Sequence, residues 1–242
     1  MCQLNFMKRL LMLLLCIAFL TCKQKVVPTK QHELKLEIIK NFKLRGFKIS
    51  DTILNKWSNR LVQVYYNDQF YRDLNNPEYA KQNFQKQLVL DLENQKIVAE
   101  FLDGIGYKSP SEIGAFAQFG VNLTLIHAGK EFKNKYKNAI DKAFKEKKIR
   151  PAFYAMFTDK YLAQVRKFQK YGTQVTYFKG TPTLYPIDPS NVNINRKSIG
   201  LTENISDYLK NNFNAPFDSI EYIRILPELI QHYKVDTTRN NL

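Results

Sequence analysis

The sequence predicts a mainly α-helical fold: a single helical domain with a small C-terminal β-hairpin. Three observations carry this expectation. Apolar residues recur at helical spacing from Leu34 to about Lys167. Helix-starting and helix-breaking residues (Asp51, Asn75-Asn76-Pro77, Pro151) punctuate that stretch at plausible lengths. The period changes to two only around Lys179-Gly180-Thr181.

The first element is not part of the domain. Met7-Lys8-Arg9 precede an uncharged apolar run, Leu10 to Leu20. At eleven residues the run is too short to span about 30 Å of hydrocarbon as a helix. A short basic region, a run of this length and then a small residue make a signal-peptide pattern over residues 1–21. Thr21-Cys22 closes it. Phe19-Leu20-Thr21-Cys22 resembles the lipobox of bacterial lipoproteins, which implies lipidation of Cys22 as the first mature residue. The other cysteines, Cys2 and Cys16, would leave with the signal peptide. A mature domain without thiols excludes cysteine nucleophiles, zinc-thiolate sites and redox pairs. Residues 22–32, polar and basic with Pro28, read as a tether. The expected location is the bacterial cell envelope, lipid-anchored and facing the periplasm.

Residues 33–242 form the expected domain. A first helix starts at Leu34, Leu36, Ile38 and Ile39 and stops at Gly46. Asp51 caps a second, with Ile53, Leu54, Trp57, Leu61, Val64 and Tyr65 at helical spacing. After the Asn75-Asn76-Pro77 break, a long helix runs from about Glu78 to Leu102. Glu112 to Ala128 is apolar on most sides and should be buried. Lys130 to Lys148 is amphipathic, with Phe132, Tyr136, Ala139, Ile140, Ala143 and Phe144 facing in. The nine basic residues from Lys130 to Arg150 mostly face out. Pro151 opens a helix reaching about Lys167. Val175, Tyr177, Thr183 and Tyr185 alternate in the hairpin. Short helices follow, the first closed by Gly200. A last helix, Phe217 to Tyr233, should kink or split at Pro227.

The formal charge is +15, lowered by two to +13 once Lys8 and Arg9 are removed. A basic surface attracts nucleic acid, anionic lipid or acidic glycan. Export argues against nucleic acid and leaves the membrane and an anionic envelope component as partners. A chain rich in Lys, Asn, Ile, Phe and Tyr throughout also acquires positive charge from composition alone.

No P-loop, Gly-x-Ser-x-Gly, His-Glu-x-x-His or dinucleotide fingerprint is present. The candidates are scattered polar residues. Asp68 and Arg72 are four apart on one helix face, with Gln69 beside them. Asp91 and Asn94 share a face of the long helix. His127 follows a stripe of Ile113, Ala117, Gly120 and Thr124, small enough to admit a close neighbour. Asp159 lies among apolar residues, where an unpaired charge costs several kcal/mol; Arg72, Arg196 and His127 are the partners considered. Gln169, Tyr171, Gly172, Thr173 and Gln174 form the bend into the hairpin.

The order Asp68-Gln69-x-x-Arg72, Asp91-x-x-Asn94, Gly106, His127-Ala128, Asp159, Gln169-x-Tyr171-Gly172-Thr173-Gln174, Arg196-x-x-x-Gly200-Leu201 and Tyr208 resembles a bacterial family catalogued as domain of unknown function 6624. The resemblance covers residues 61–209, and its most specific part is the Tyr-Gly-Thr-Gln segment. The family carries Gly-Trp-Pro where this chain has Gly106-Tyr107-Lys108, Gln-His at Ile126-His127 and Asp-Arg at Asp159-Lys160. It implies a unit of fold and a residue list, and no known activity.

Each candidate has a plain structural reading beside a functional one. Asp68–Arg72 reads as an intrahelical salt bridge, Asp91–Asn94 as solvated helix surface or a cap partner, His127 as a core histidine and Tyr171-Gly172 as a turn. Taken together they suggest one network. In the first reading the protein is a binding module that holds a small molecule, glycan, lipid or partner through this polar cleft or through the basic face near Lys130–Arg150. In the second the network is a hydrolase-like site: His127 is the acid or base, Asp159 orients it, Asp68 or Asp91 is a second carboxylate, and Arg72 and Gln174 bind substrate. In the third the network only supports the fold. A His with carboxylates is also compatible with a divalent metal; the sequence specifies no cofactor.

Overall fold

A computed structural model describes residues 49–72, 76–215 and 217–237. The expected signal peptide, Cys22 anchor and tether, and the helix expected to end at Gly46, lie outside the described residues. Among the described residues, no helix is long and apolar enough to cross a membrane.

The fold is mainly helical, with one two-stranded hairpin near its C-terminal end. Helix α1 spans Thr52–Phe70; the Asp51 carboxylate caps it by accepting the Ile53 and Leu54 amides at 2.8 and 2.9 Å. The single helix expected from Glu78 to Leu102 is two, α2 (Pro77–Gln82) and α3 (Phe84–Gly104). They part at Asn83, whose side-chain amide donates to the Tyr79 carbonyl and competes with regular helix bonding. The apolar stretch from Glu112 is likewise divided. Helix α4 (Pro110–Ile113) opens with a Ser109/Glu112 capping box and stops at Gly114, before α5 (Ala115–His127). Helix α6 (Lys130–Lys145) and helix α7 (Pro151–Gln164) complete this half.

Helix α5 is the centre. It packs most extensively on α1, and the reason is Gly120: a Cβ there would collide with the Leu61 carbonyl oxygen. The two helix backbones touch where the side chain is missing. Leu61, Val98, Phe101, Val121, Ile140 and Phe153 fill the core around that contact.

Strands β1 (Val175–Phe178) and β2 (Thr181–Leu184) pair antiparallel across a Lys179-Gly180 turn, both turn residues having positive φ. The inward residues are Phe178 and Leu184, while Tyr177 is exposed. The register places Phe178 and Leu184 on opposite faces, Leu184 across from Val175 on the face of Tyr177 and Phe178 across from Thr181 on the other, so the expected alternation of burial is replaced by one buried residue at an end of each strand. Helices α8 (Val192–Ser198), α9 (Ile205–Phe213) and α10 (Ser219–Tyr233) close a second apolar cluster over the hairpin. Helix α10 passes through Pro227 unsplit. The missing amide removes one helix bond, and Tyr222 and Leu229, buried on either side, hold the helix in place.

Several helix ends are closed by an unexpected residue type. Lys147, Arg166 and Lys234 take left-handed conformations after α6, α7 and α10. In each, the amides of that residue and the next bond back into the last turn, as Lys147 to Phe144 and Lys148 to Ala143 do at 2.9 Å. This closure favours glycine. A cation at the negative end of the helix dipole offsets part of the cost of a side chain there.

Candidate functional site

The candidates separate into two clusters. The first forms where the C-terminal ends of α1 and α5 meet. The Gly120–Leu61 contact sets the register. Seven residues further along each helix, two turns on, Asp68 faces His127. His127 Nδ1 lies 2.8 Å from Asp68 Oδ1, and the carboxylate is buried while the imidazole is 29% exposed. Arg72 donates to the Asp68 backbone carbonyl, lies 3.1 Å from Asp68 Oδ1 and reaches Asp91 Oδ2 at 2.5 Å. Gln69 donates to Asp68 Oδ2 at 2.7 Å.

Burial pushes the Asp68 carboxyl up. The His127 hydrogen bond and charge, Arg72 and Gln69 outweigh that and hold it below its ordinary value. An ionised Asp68 accepts from Nδ1–H. That fixes the neutral imidazole in the tautomer whose Nε2 carries the lone pair. Among the described residues Nε2 has no hydrogen-bond partner.

Gln87, which sequence reasoning missed, completes this cluster. Its amide donates to Asp91 Oδ1 at 2.8 Å and to the Asn67 carbonyl at 3.2 Å, while its carbonyl accepts the Tyr71 amide. The available signal was its position one turn before Asp91 on the face that also carries Asn94. Asn94 itself is fully buried, with its amide 3.4 Å from the Val64 carbonyl. It ties α3 to α1 and stands behind the cluster rather than in it.

The second cluster surrounds Asp159, and none of the three partners considered donates a hydrogen bond to its carboxylate. The donors are the backbone amides of Lys170 (2.7 Å), Tyr171 (3.0 Å) and Thr173 (2.8 Å), and the Thr173 hydroxyl (2.9 Å). Burial pushes the Asp159 carboxyl up, against the pull of those donors. Arg196 lies under the same loop. It donates to the Tyr171 carbonyl at 2.9 Å and the Glu203 carbonyl at 2.7 Å, and stacks over Tyr208 at 4.8 Å. Gln169 bonds the Gln174 and Tyr185 carbonyls and accepts the Gln174 amide. Gly172 has φ +74°, and a Cβ there would strike Ile205. The Tyr-Gly-Thr-Gln segment is therefore a loop tied around a buried carboxylate. The roles expected for Asp159 as orienter of His127, and for Gln174 beside Arg72, are replaced: Asp68 holds His127, and the Gln174 amide bonds Thr173 Oγ1.

A further buried charge was unforeseen. Lys133, expected to face out, is fully buried on the stripe with Tyr136, Ile140 and Ala143. Its amine donates to the Ala128 carbonyl at the end of α5. Burial, with Lys160 nearby, lowers its pKa to about 7. Among the described residues, no group of three or more His, Cys, Asp or Glu side chains could hold a metal ion.

No protein-family model, curated protein or solved structure matches the chain.

Proposed function

We propose that this is a lipid-anchored protein of the bacterial envelope, related to the domain of unknown function 6624 family, that binds a small polar molecule at the Asp68–His127 cluster and acts on it by general acid–base chemistry. One observation carries the reading: a buried carboxylate orients a partly exposed imidazole by its Nδ1 and leaves Nε2 open. In a hydrolysis, Nε2 takes a proton from water as that water attacks, and returns it to the leaving group. Asp68 stabilises the imidazolium between those steps, as does the negative end of α5, whose last residue is His127. Arg72, positioned by two carboxylates, flanks the imidazole as a donor to substrate oxygen. The anchor part of the reading rests on the Cys22 segment and its apolar run.

The test is turnover of p-nitrophenyl acetate, p-nitrophenyl phosphate and p-nitrophenyl glycosides by the full chain. Activity on one class should fall by about 10²–10⁴ in His127→Gln, with unfolding nearly unchanged. If His127→Gln loses the fold instead, the acid–base reading fails. The alternative is a structural clasp joining α1, α3 and α5; it is favoured by the sharing of Arg72 between Asp68 and Asp91, and it predicts that outcome.

A further inference from the structure

A groove of about 590 Å³ lies where α6 turns into α7, and its lining includes Phe144, Lys145, Lys147, Arg150, Pro151 and Ile199. No acid lines it. Lys148, also at its edge, is neutralised by Glu146 at 2.7 Å. Among the described residues Lys145, Lys147 and Arg150 make no ion pair. Three uncompensated cations around one concavity raise the local concentration of anions.

The groove has a second character. Its lining is also largely apolar: Phe144, which stacks flat on Tyr154 with ring centres 4.1 Å apart, Ile149, Pro151 and Ile199. Three carbonyls of the last turn of α6, those of Lys142, Ala143 and Phe144, which would repel an anion, accept the Glu146, Lys148 and Lys147 amides. Helix α7 begins at Pro151 with no side chain capping it, so its positive pole adds to the same field.

We propose that this groove binds a phosphate-bearing ligand, with Lys145, Lys147 and Arg150 on the phosphate and Phe144 and Ile199 against its apolar part. The site is independent of His127. An exposed Arg lining the same groove as two Lys suits phosphate oxygens, because its guanidinium can offer two parallel donors.

Calorimetric titration of the full chain with inorganic phosphate and with monomeric dihexanoyl phosphatidylglycerol tests this. Binding should be saturable, weaken with salt and fall about tenfold, some 1.4 kcal/mol, in Lys147→Gln/Arg150→Gln. The control pair Lys96→Gln/Lys210→Gln, exposed elsewhere, should leave it unchanged. Tighter binding of the lipid, with the gain lost in Ile199→Asp, identifies a lipid headgroup as the source. Equal binding of both probes identifies a free phosphate. Absence of saturable binding by either probe, or equal loss in the control pair, overturns the proposal.

Discussion

The two polar clusters contain the same ingredients and use them differently. Each has a buried aspartate, an arginine and glutamine side chains. Around Asp159 every donor but one is backbone amide, and Arg196 spends its donors on backbone carbonyls. Backbone partners cannot leave without unfolding the loop, so this cluster defines shape. Around Asp68 the partners are the side chains of His127, Arg72 and Gln69, two of them 23–29% exposed on their side chains. Side chains can exchange one partner for a ligand at the cost of a rotamer. The kind of partner, rather than the residue type or depth, separates the supporting cluster from the candidate site.

That contrast can be broken by substitution. Asp159→Ala leaves three backbone amides, two of them buried, and a buried hydroxyl without an acceptor. It should cost about 3–5 kcal/mol in urea unfolding, the largest effect expected. Gly120→Ala places a methyl against the Leu61 carbonyl and pushes α1 from α5. A loss of about 1–3 kcal/mol is expected, together with loss of the Asp68–His127 contact. His127→Ala leaves Asp68 with Arg72 and Gln69, so the cost should be only about 1 kcal/mol; a loss like that of Asp159→Ala would erase the distinction between the clusters. The smallest effect is on acid sensitivity. Asp68 has a folded pKa below its ordinary value of 3.8. Its contribution is therefore present above pH 3.8 and is lost as pH falls through the folded pKa. Asp68→Asn should flatten the acid limb of stability in that window, measured by melting temperature against pH.

Much of the fold was legible because it depends on local chemistry. The Asp51 cap, the Pro151 start and the Lys179-Gly180 turn each act within a few residues. Helix ends were less legible, because Lys147, Arg166 and Lys234 stand where glycine is the usual signal. The Asp68–Arg72 pair was legible as an i, i+4 contact. The pairing of Asp68 with His127, 59 residues apart, was not; it depends on the Gly120–Leu61 register, which only packing sets. The burial of Asp159 followed from its neighbours, but its partners did not, since a backbone amide has no residue signature. Lys133 resembles the surface lysines around it, and only its place on the inward stripe sets it apart.

The central claim is that Asp68 fixes His127 with Nε2 free. Long-range ¹H–¹⁵N NMR of the imidazole rings, with His127 assigned by loss of its signals in His127→Gln, tests it directly. The neutral ring should carry its proton on Nδ1, and Asp68→Asn should move the population towards Nε2–H. A wild-type ring already protonated on Nε2, or a tautomer unchanged by Asp68→Asn, would contradict the account.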